Sequence, residues 1–154
     1  MSDWKRTTKE VGFENLPPEM VSAINQYIGQ YNLGSILSDT LMCIQTDSEK
    51  VKKGLFGKAE TVSMGVVVTP RWLMWAISEA KAKAAVLSAQ LTHVTVQDYA
   101  QTTFAKMVPD SGIQVNGMIT DVSENASAFI GLDESVAGKK FREVVIKAAQ
   151  DAKK

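Results

Sequence analysis

Along residues 61–77, TVSMGVVVTPRWLMWAI, polar and apolar positions alternate: Val62, Met64, Val66 and Val68 share one side, Ser63, Gly65, Val67 and Thr69 the other. A period of two is that of a pleated strand with one buried face. Pro70 cannot donate to a ladder and holds Thr69 extended, so it ends the strand, and the bulky run from Trp72 to Ile77 is predicted to return as the second arm of a hairpin. If Leu73, Trp75 and Ile77 face the core, then Trp72, Met74 and the neighbouring Val67 face away from it. A solvated sheet does not carry such residues, so the outward patch is expected to be covered, either by a helix of the same chain or by the same face of a second copy.

The rest of the chain is organised around this hairpin. Residues 1–16 are polar apart from isolated side chains such as Trp4 and Phe13, and predict a flexible arm ahead of a single domain, 17–154. Residues 18–31 predict an amphipathic helix: Pro18 and Glu19 suit its first turn, Met20, Val21, Ile24, Tyr27, Ile28 and Tyr31 fall on one side, and Asn32 to Gly34 stops it. Residues 36–46 predict a strand, with Thr40, Met42 and Ile44 on one face and Leu41 and Cys43 on the other. Residues 47–58 form a charged turn. Between 76 and 91, helix propensity and the spacing of Ile77, Ala80, Ala84, Leu87 and Leu91 favour a helix, while the alternation of Ala85, Leu87 and Ala89 directly after a strand favours a strand over 85–91. The strand is preferred.

Beyond a turn at His93, residues 94–99 predict another strand, followed by an irregular stretch to Asp110 anchored by Phe104, Met107 and Val108. Ile113, Val115, Gly117 and Ile119 alternate in a strand over 113–120, and ASAFIGL, 126–132, returns as its partner. Asp133 is the expected N-cap of a closing helix, 134–152, whose buried face is Val136, Phe141, Val144, Val145, Ala148, Ala149 and Ala152. Glu143 and Lys147 are spaced to pair, and Lys153 and Lys154 sit at the negative end of the dipole.

Composition narrows the functions open to this chain. A length of 154 residues suffices for one domain with a sizeable core, and 45% hydrophobic with 22% charged residues is ordinary for a globular protein. Lys plus Arg balances Asp plus Glu at 17 each, so no global field draws in nucleic acid, and none is expected as a partner. No apolar run reaches the ~18 residues that span a bilayer, and MSDWKRTTKE lacks the apolar centre of a secretory leader, so a cytoplasmic location is expected. Cys43, the only cysteine, reads as a small buried hydrophobe, and His93, the only histidine, has no second ligand beside it for a metal. GLFGKA fails as a phosphate loop, having two residues between its glycines and Ala59 in place of the magnesium-binding hydroxyl. With no nucleophile and base at recognisable spacing an enzyme is not expected and no cofactor is predicted, although Asp98, Asp110 and Asp121 are acids that a fold could bring together. Lys50, Lys52, Lys53 and Lys58 could hold an anion or a phosphate headgroup as point charges.

The order of one helix, about seven short strands and a long terminal helix resembles the pleckstrin-homology-like barrel, particularly its small bacterial versions. Three stretches carry the resemblance, within 36–150: GLFGKAETVSMGVVVTPRWLMWAI with its Thr69-x-x-x-Leu73 turn, AQLTHVTVQDY, and SGIQVNGMITDVSENASAFIGL followed by AGKKFREVVIKAAQ. The resemblance implies an α+β, mainly β fold, a partly open barrel of two near-orthogonal antiparallel sheets over 36–132, closed by the C-terminal helix and supplemented by the N-terminal one. It also implies a scaffold role, with headgroup recognition in the loop of Lys52, Lys53 and Lys58, although Glu60 stands where the family's phosphoinositide signature carries a basic residue. The expected function is therefore a non-catalytic protein-interaction module, self-associating through Val67, Trp72 and Met74 with Ile24, Tyr27 and Tyr31. The alternative is a peripheral membrane-surface binder of anionic headgroups through the four lysines.

Overall fold

The hairpin predicted at the centre of the chain is present as β3 (Glu60–Val68) and β4 (Trp72–Glu79), antiparallel, with Val66 opposite Trp75 and Val68 opposite Leu73. Thr69 builds its turn. The Thr69 N–H donates to the Trp72 carbonyl at 2.8 Å, and its hydroxyl oxygen accepts from the Trp72 N–H at 3.0 Å, satisfying the groups that Pro70 leaves without a ladder. The computed structural model describes residues 4–50, 60–79, 83–119 and 125–154. Around the hairpin, β1 (Trp4–Glu10), β2 (Met42–Lys50) and β5 (Ala85–Gln90) complete a five-stranded antiparallel sheet of order β1-β2-β3-β4-β5. A second sheet holds β6 (Thr95–Asp98), β7 (Gly112–Met118) and β8 (Ala126–Gly131) in chain order, also antiparallel. With helices α1 (Pro18–Gln30), α2 (Phe104–Met107) and α3 (Val136–Asp151), the fold is α+β and mainly β, and its described strands form two sheets, not one closed barrel. No helix among the described residues is long and apolar enough to cross a membrane.

The main core lies between the two sheets and α3. Ile44, Val66, Leu73 and Trp75 from the first sheet meet Ile113, Val115 and Ile130 from the second and Phe141 and Val145 from the helix, all of them buried. A second core occupies the opposite face of the first sheet, where Leu16, Met20 and Ile24 press onto Cys43, Val67, Met74 and Ala76. Gly65 lies beneath them: a Cβ there would come within 2.9 Å of both Leu16 methyl groups and 3.1 Å of the Met20 sulfur, so any larger residue would force these side chains to shift. The outward patch is thus covered from within the chain, by α1. The same face turns polar beyond the helix, at Thr7, Asp47, Glu49 and Ser63. α1 ends as predicted, with Asn32 in the left-handed region (φ 55°), its N–H donating to Gly29 O and the Leu33 N–H to Ile28 O.

Several expectations are corrected. Residues 4–10 are not a loose arm but edge strand β1, paired with β2 along its whole length. The inward side chains Arg6 and Thr8 are polar, and they are satisfied by groups remote in sequence: Thr8 Oγ1 lies 3.1 Å from Thr46 Oγ1, and the Thr8 N–H donates to Asp133 Oδ2 at 2.8 Å. The strand expected over 36–46 is shifted to Met42–Lys50, because Ser38 and Thr40 hydroxyls donate to the Ser35 and Leu37 carbonyls and hold 36–39 in a 3-10 turn. The side chains of Phe104, Met107 and Val108, expected as anchors, are exposed. The anchor is Tyr99, whose hydroxyl donates to Val108 O at 2.6 Å and whose ring meets Phe129 edge-on at 4.9 Å. In β7 a bulge at Gly117 (φ 86°) breaks the alternation, so Met118 is buried and Ile119 is exposed. The N-cap of α3 is Ser135, whose hydroxyl accepts from the Gly138 N–H. Asp133 instead accepts from Ser135, Val136 at the first helical position is exposed, and Lys147 pairs with Asp151.

Candidate functional site

The residues singled out in the sequence are dispersed by the fold. Lys52, Lys53 and Lys58 lie outside the described residues, as does Asp121. Lys50 ends β2 half-buried, its ammonium 5.9 Å from the centre of the Trp4 ring. Of the expected interface residues, Val67, Met74 and Ile24 belong to the buried core under α1 and offer no surface to a partner. Trp72 and Tyr27 stay half-buried, and Tyr31 is exposed with its ring 4.6 Å from that of Tyr27.

Asp98 and Asp110 are engaged by charge of the opposite sign. Each faces an arginine. Asp110 accepts a bidentate pair from Arg6, Nε to Oδ1 at 3.0 Å and Nη2 to Oδ2 at 2.6 Å, while Arg6 Nη1 donates to Ser48 Oγ. Arg142, buried on α3, donates through Nη1 to the Asp133 carbonyl at 2.8 Å and through Nη2 to Ser111 Oγ at 2.6 Å, with Glu134 at 3.3 Å. Its Nε lies 3.7 Å from Asp98 Oδ2 and makes no hydrogen bond. The two guanidinium groups therefore tie β1, the segment ahead of β7 and the β8–α3 connection together, a structural use of charge. Asp133 belongs to the same region. Burial pulls its carboxyl up, but hydrogen bonds from Ser135 and Thr8 outweigh that and hold it below its ordinary value. Among the described residues no group of three His, Cys, Asp or Glu side chains is placed to hold a metal.

Cys43 is buried in the core under α1, and burial pushes its thiol up to about 12. Because the folded value is raised, the stability that Cys43 contributes is present below its ordinary value of 9.0 and is lost as pH rises toward 12. Iodoacetamide at pH ~8 is accordingly expected to leave the folded protein unmodified and to alkylate Cys43 once the chain is unfolded in guanidinium, as followed by intact mass. Alkylation of the native protein within minutes would show the thiol to be accessible.

One surface feature combines concavity with uncommitted chemistry. A cleft of about 760 Å³ opens where the β3–β4 turn, the β5–β6 turn and the last turn of α3 meet, lined among others by Leu41, Arg71, Trp72, Gln90, Thr92 and Asp151. It shares Trp72 and Gln90 with a second hollow of about 260 Å³ that reaches Tyr27, His93 and Ile119. The walls are fastened together: the Leu91 N–H donates to Arg71 O at 2.9 Å, and Lys153 Nζ donates to Leu91 O at 2.8 Å and Ala149 O at 2.9 Å. Leu41 is 50% exposed on the rim. Asp151 is clamped by Lys147 at 3.1 Å and Lys154 at 3.2 Å, and these hydrogen bonds hold its carboxyl below the ordinary value. The Arg71 side chain, by contrast, makes no hydrogen bond or ion pair among the described residues, its backbone alone being bonded into the turn. In the sequence Trp72 stands out as part of the outward patch, whereas Arg71 and Leu41 carry no functional signal of their own. The only local signal was an arginine and a tryptophan straight after a turn proline. Comparison with protein-family models, curated proteins and solved structures finds no match to this chain.

Proposed function

We propose that the chain is a non-catalytic protein-interaction module of pleckstrin-homology-like architecture, two sheets closed by α3, and that its contact surface is the cleft around Arg71 and Trp72. The observation that carries this reading is the pairing of a half-buried indole with a guanidinium that no described residue engages, in a recess whose walls are already hydrogen-bonded together. Aromatic and arginine side chains in preformed recesses are those that dominate protein interfaces. Asp98 and Asp110, two of the acids that a catalytic reading would need, face Arg142 and Arg6, which hold α3 and β1 in place. Since α1 covers Val67 and Met74, that face gives no support to self-association.

The test replaces Gln90, on the rim, with a photoreactive benzoylphenylalanine and irradiates the protein in extract of its native host. A discrete adduct that disappears when Trp72→Ala is added is the expected result. Absence of adducts, or adducts indifferent to Trp72, would overturn the assignment of this surface. Sedimentation with phosphoinositide vesicles that survives Trp72→Ala but not Lys50→Glu would move the function to the lysine-rich loop.

A further inference from the structure

Resting on the interaction-module reading, we infer that the occupant of the cleft is an acidic peptide segment that carries an apolar side chain between its carboxylates. The charges around the recess point to an anion. Among the described residues the Arg71 side chain has no hydrogen-bond or ion-pair partner, and the one carboxylate lining the cleft, Asp151, is already shared by two lysines. At the negative end of α3, which would otherwise repel an anion, the Ala149 carbonyl is met by Lys153, whose ammonium also reaches Leu91 O. Among the described residues, Arg71 in the cleft and Lys147, Lys153 and Lys154 beside it thus surround a single lining carboxylate, Asp151, within a chain whose overall charge is zero. A guanidinium takes a carboxylate through two parallel hydrogen bonds, which gives both strength and orientation. The half-buried Trp72 ring and the exposed side of Leu41 supply an apolar surface beside it, which a purely acidic ligand would leave wet.

The shape favours a chain over the alternatives. Because the cleft and the adjoining hollow share Trp72 and Gln90, they form one elongated surface spanning three turns, which suits an extended peptide better than a compact metabolite. A flat anionic bilayer would touch only the rim and leave Trp72 in its recess.

The experiment uses the full-length ¹⁵N-labelled protein and three blocked peptides: Asp-Glu-Phe-Glu-Asp, the same peptide with alanine at its centre, and Lys-Lys-Phe-Lys-Lys. The readouts are the Trp72 indole and Arg71 side-chain N–H signals. Expected are saturable shifts of both signals with the first peptide, weaker binding with alanine at the centre and none with the basic peptide. Arg71→Glu, which removes a side chain with no partner among the described residues and should leave the melting temperature unchanged, is expected to weaken the acidic peptide by about tenfold or more, the usual worth of a charged hydrogen bond. Equal or tighter binding of the basic peptide, shifts confined to other residues, or undiminished binding by Arg71→Glu would overturn the inference. So would sedimentation with phosphatidylserine vesicles that Arg71→Glu abolishes while no peptide binds, which would assign the cleft to a membrane surface. A Trp72-dependent crosslink at position 90 with no shift from any peptide would leave the module standing and remove the acidic occupant. Loss of both would remove both.

Discussion

Replacing Phe141 with alanine is expected to destabilise the protein by about 3–5 kcal/mol, enough to remove a large part of the stability of an ordinary domain. The ring is fully buried, in the core where α3 meets strands of both sheets, so its removal leaves a void that neither sheet can close alone. Val145, Ala148 and Ala149 continue the same buried stripe toward the last turn of the helix, which is one wall of the cleft. Loosening the helix at Phe141 should therefore also weaken whatever the cleft holds. On the same helix, Val136 is 85% exposed, and Val136→Ala is expected to change stability by less than about 0.5 kcal/mol. Denaturant titration of both variants makes the comparison. A loss below about 1 kcal/mol for Phe141→Ala would show that α3 lies against the sheets without being part of their core.

The elements that could be read from the chain are those whose buried face is apolar and uninterrupted. The β3–β4 hairpin has Val66, Val68, Leu73 and Trp75 on the side of the main core, and α3 has Phe141 and Val145. In both, burial follows the period of the backbone. β1 escaped notice because its inner face, Arg6 and Thr8, is polar and is paid for by Asp110, Ser48, Thr46 and Asp133, partners up to 125 positions away. Likewise the exposure of Ile119 follows from one glycine at positive φ, which turns a regular alternation over by one residue. The outward patch was legible as a surface that had to be covered. Which of the two available covers would fill it was not, since that choice depends on Gly65 letting Leu16 and Met20 approach the sheet. The cleft was least legible, for its walls come from Leu41, the Arg71–Trp72 turn, Gln90 and Thr92, and the end of α3, four places that share no local pattern.

Asp110→Ala is the second change from which a large loss is expected, about 3–5 kcal/mol, because it strands a buried cation. The Arg6 side chain is only 10% exposed, and both carboxylate oxygens of Asp110 accept from it. Without them the guanidinium keeps the Ser48 hydroxyl and the faces of Trp4 and Phe129, each 5.3 Å away, none of which carries a compensating negative charge. Retreat into water is hindered by packing, since the guanidinium already fills the space in which a Cβ on Gly131 would sit, 2.3 Å from Nη1. Asp110 also accepts from the Ser111 N–H, and Ser111 Oγ accepts from Arg142, so the loss should spread to the attachment of α3. Converting Arg6 to methionine in the Asp110→Ala background removes the stranded charge and leaves a side chain suited to the aromatic slot between Trp4 and Phe129. The double variant is therefore expected to be more stable than Asp110→Ala alone, with a coupling of about 1–3 kcal/mol between the two sites in a double-mutant cycle. Additive losses would mean that Arg6 and Asp110 act independently and that β1 is held to the rest of the fold by its backbone ladder with β2.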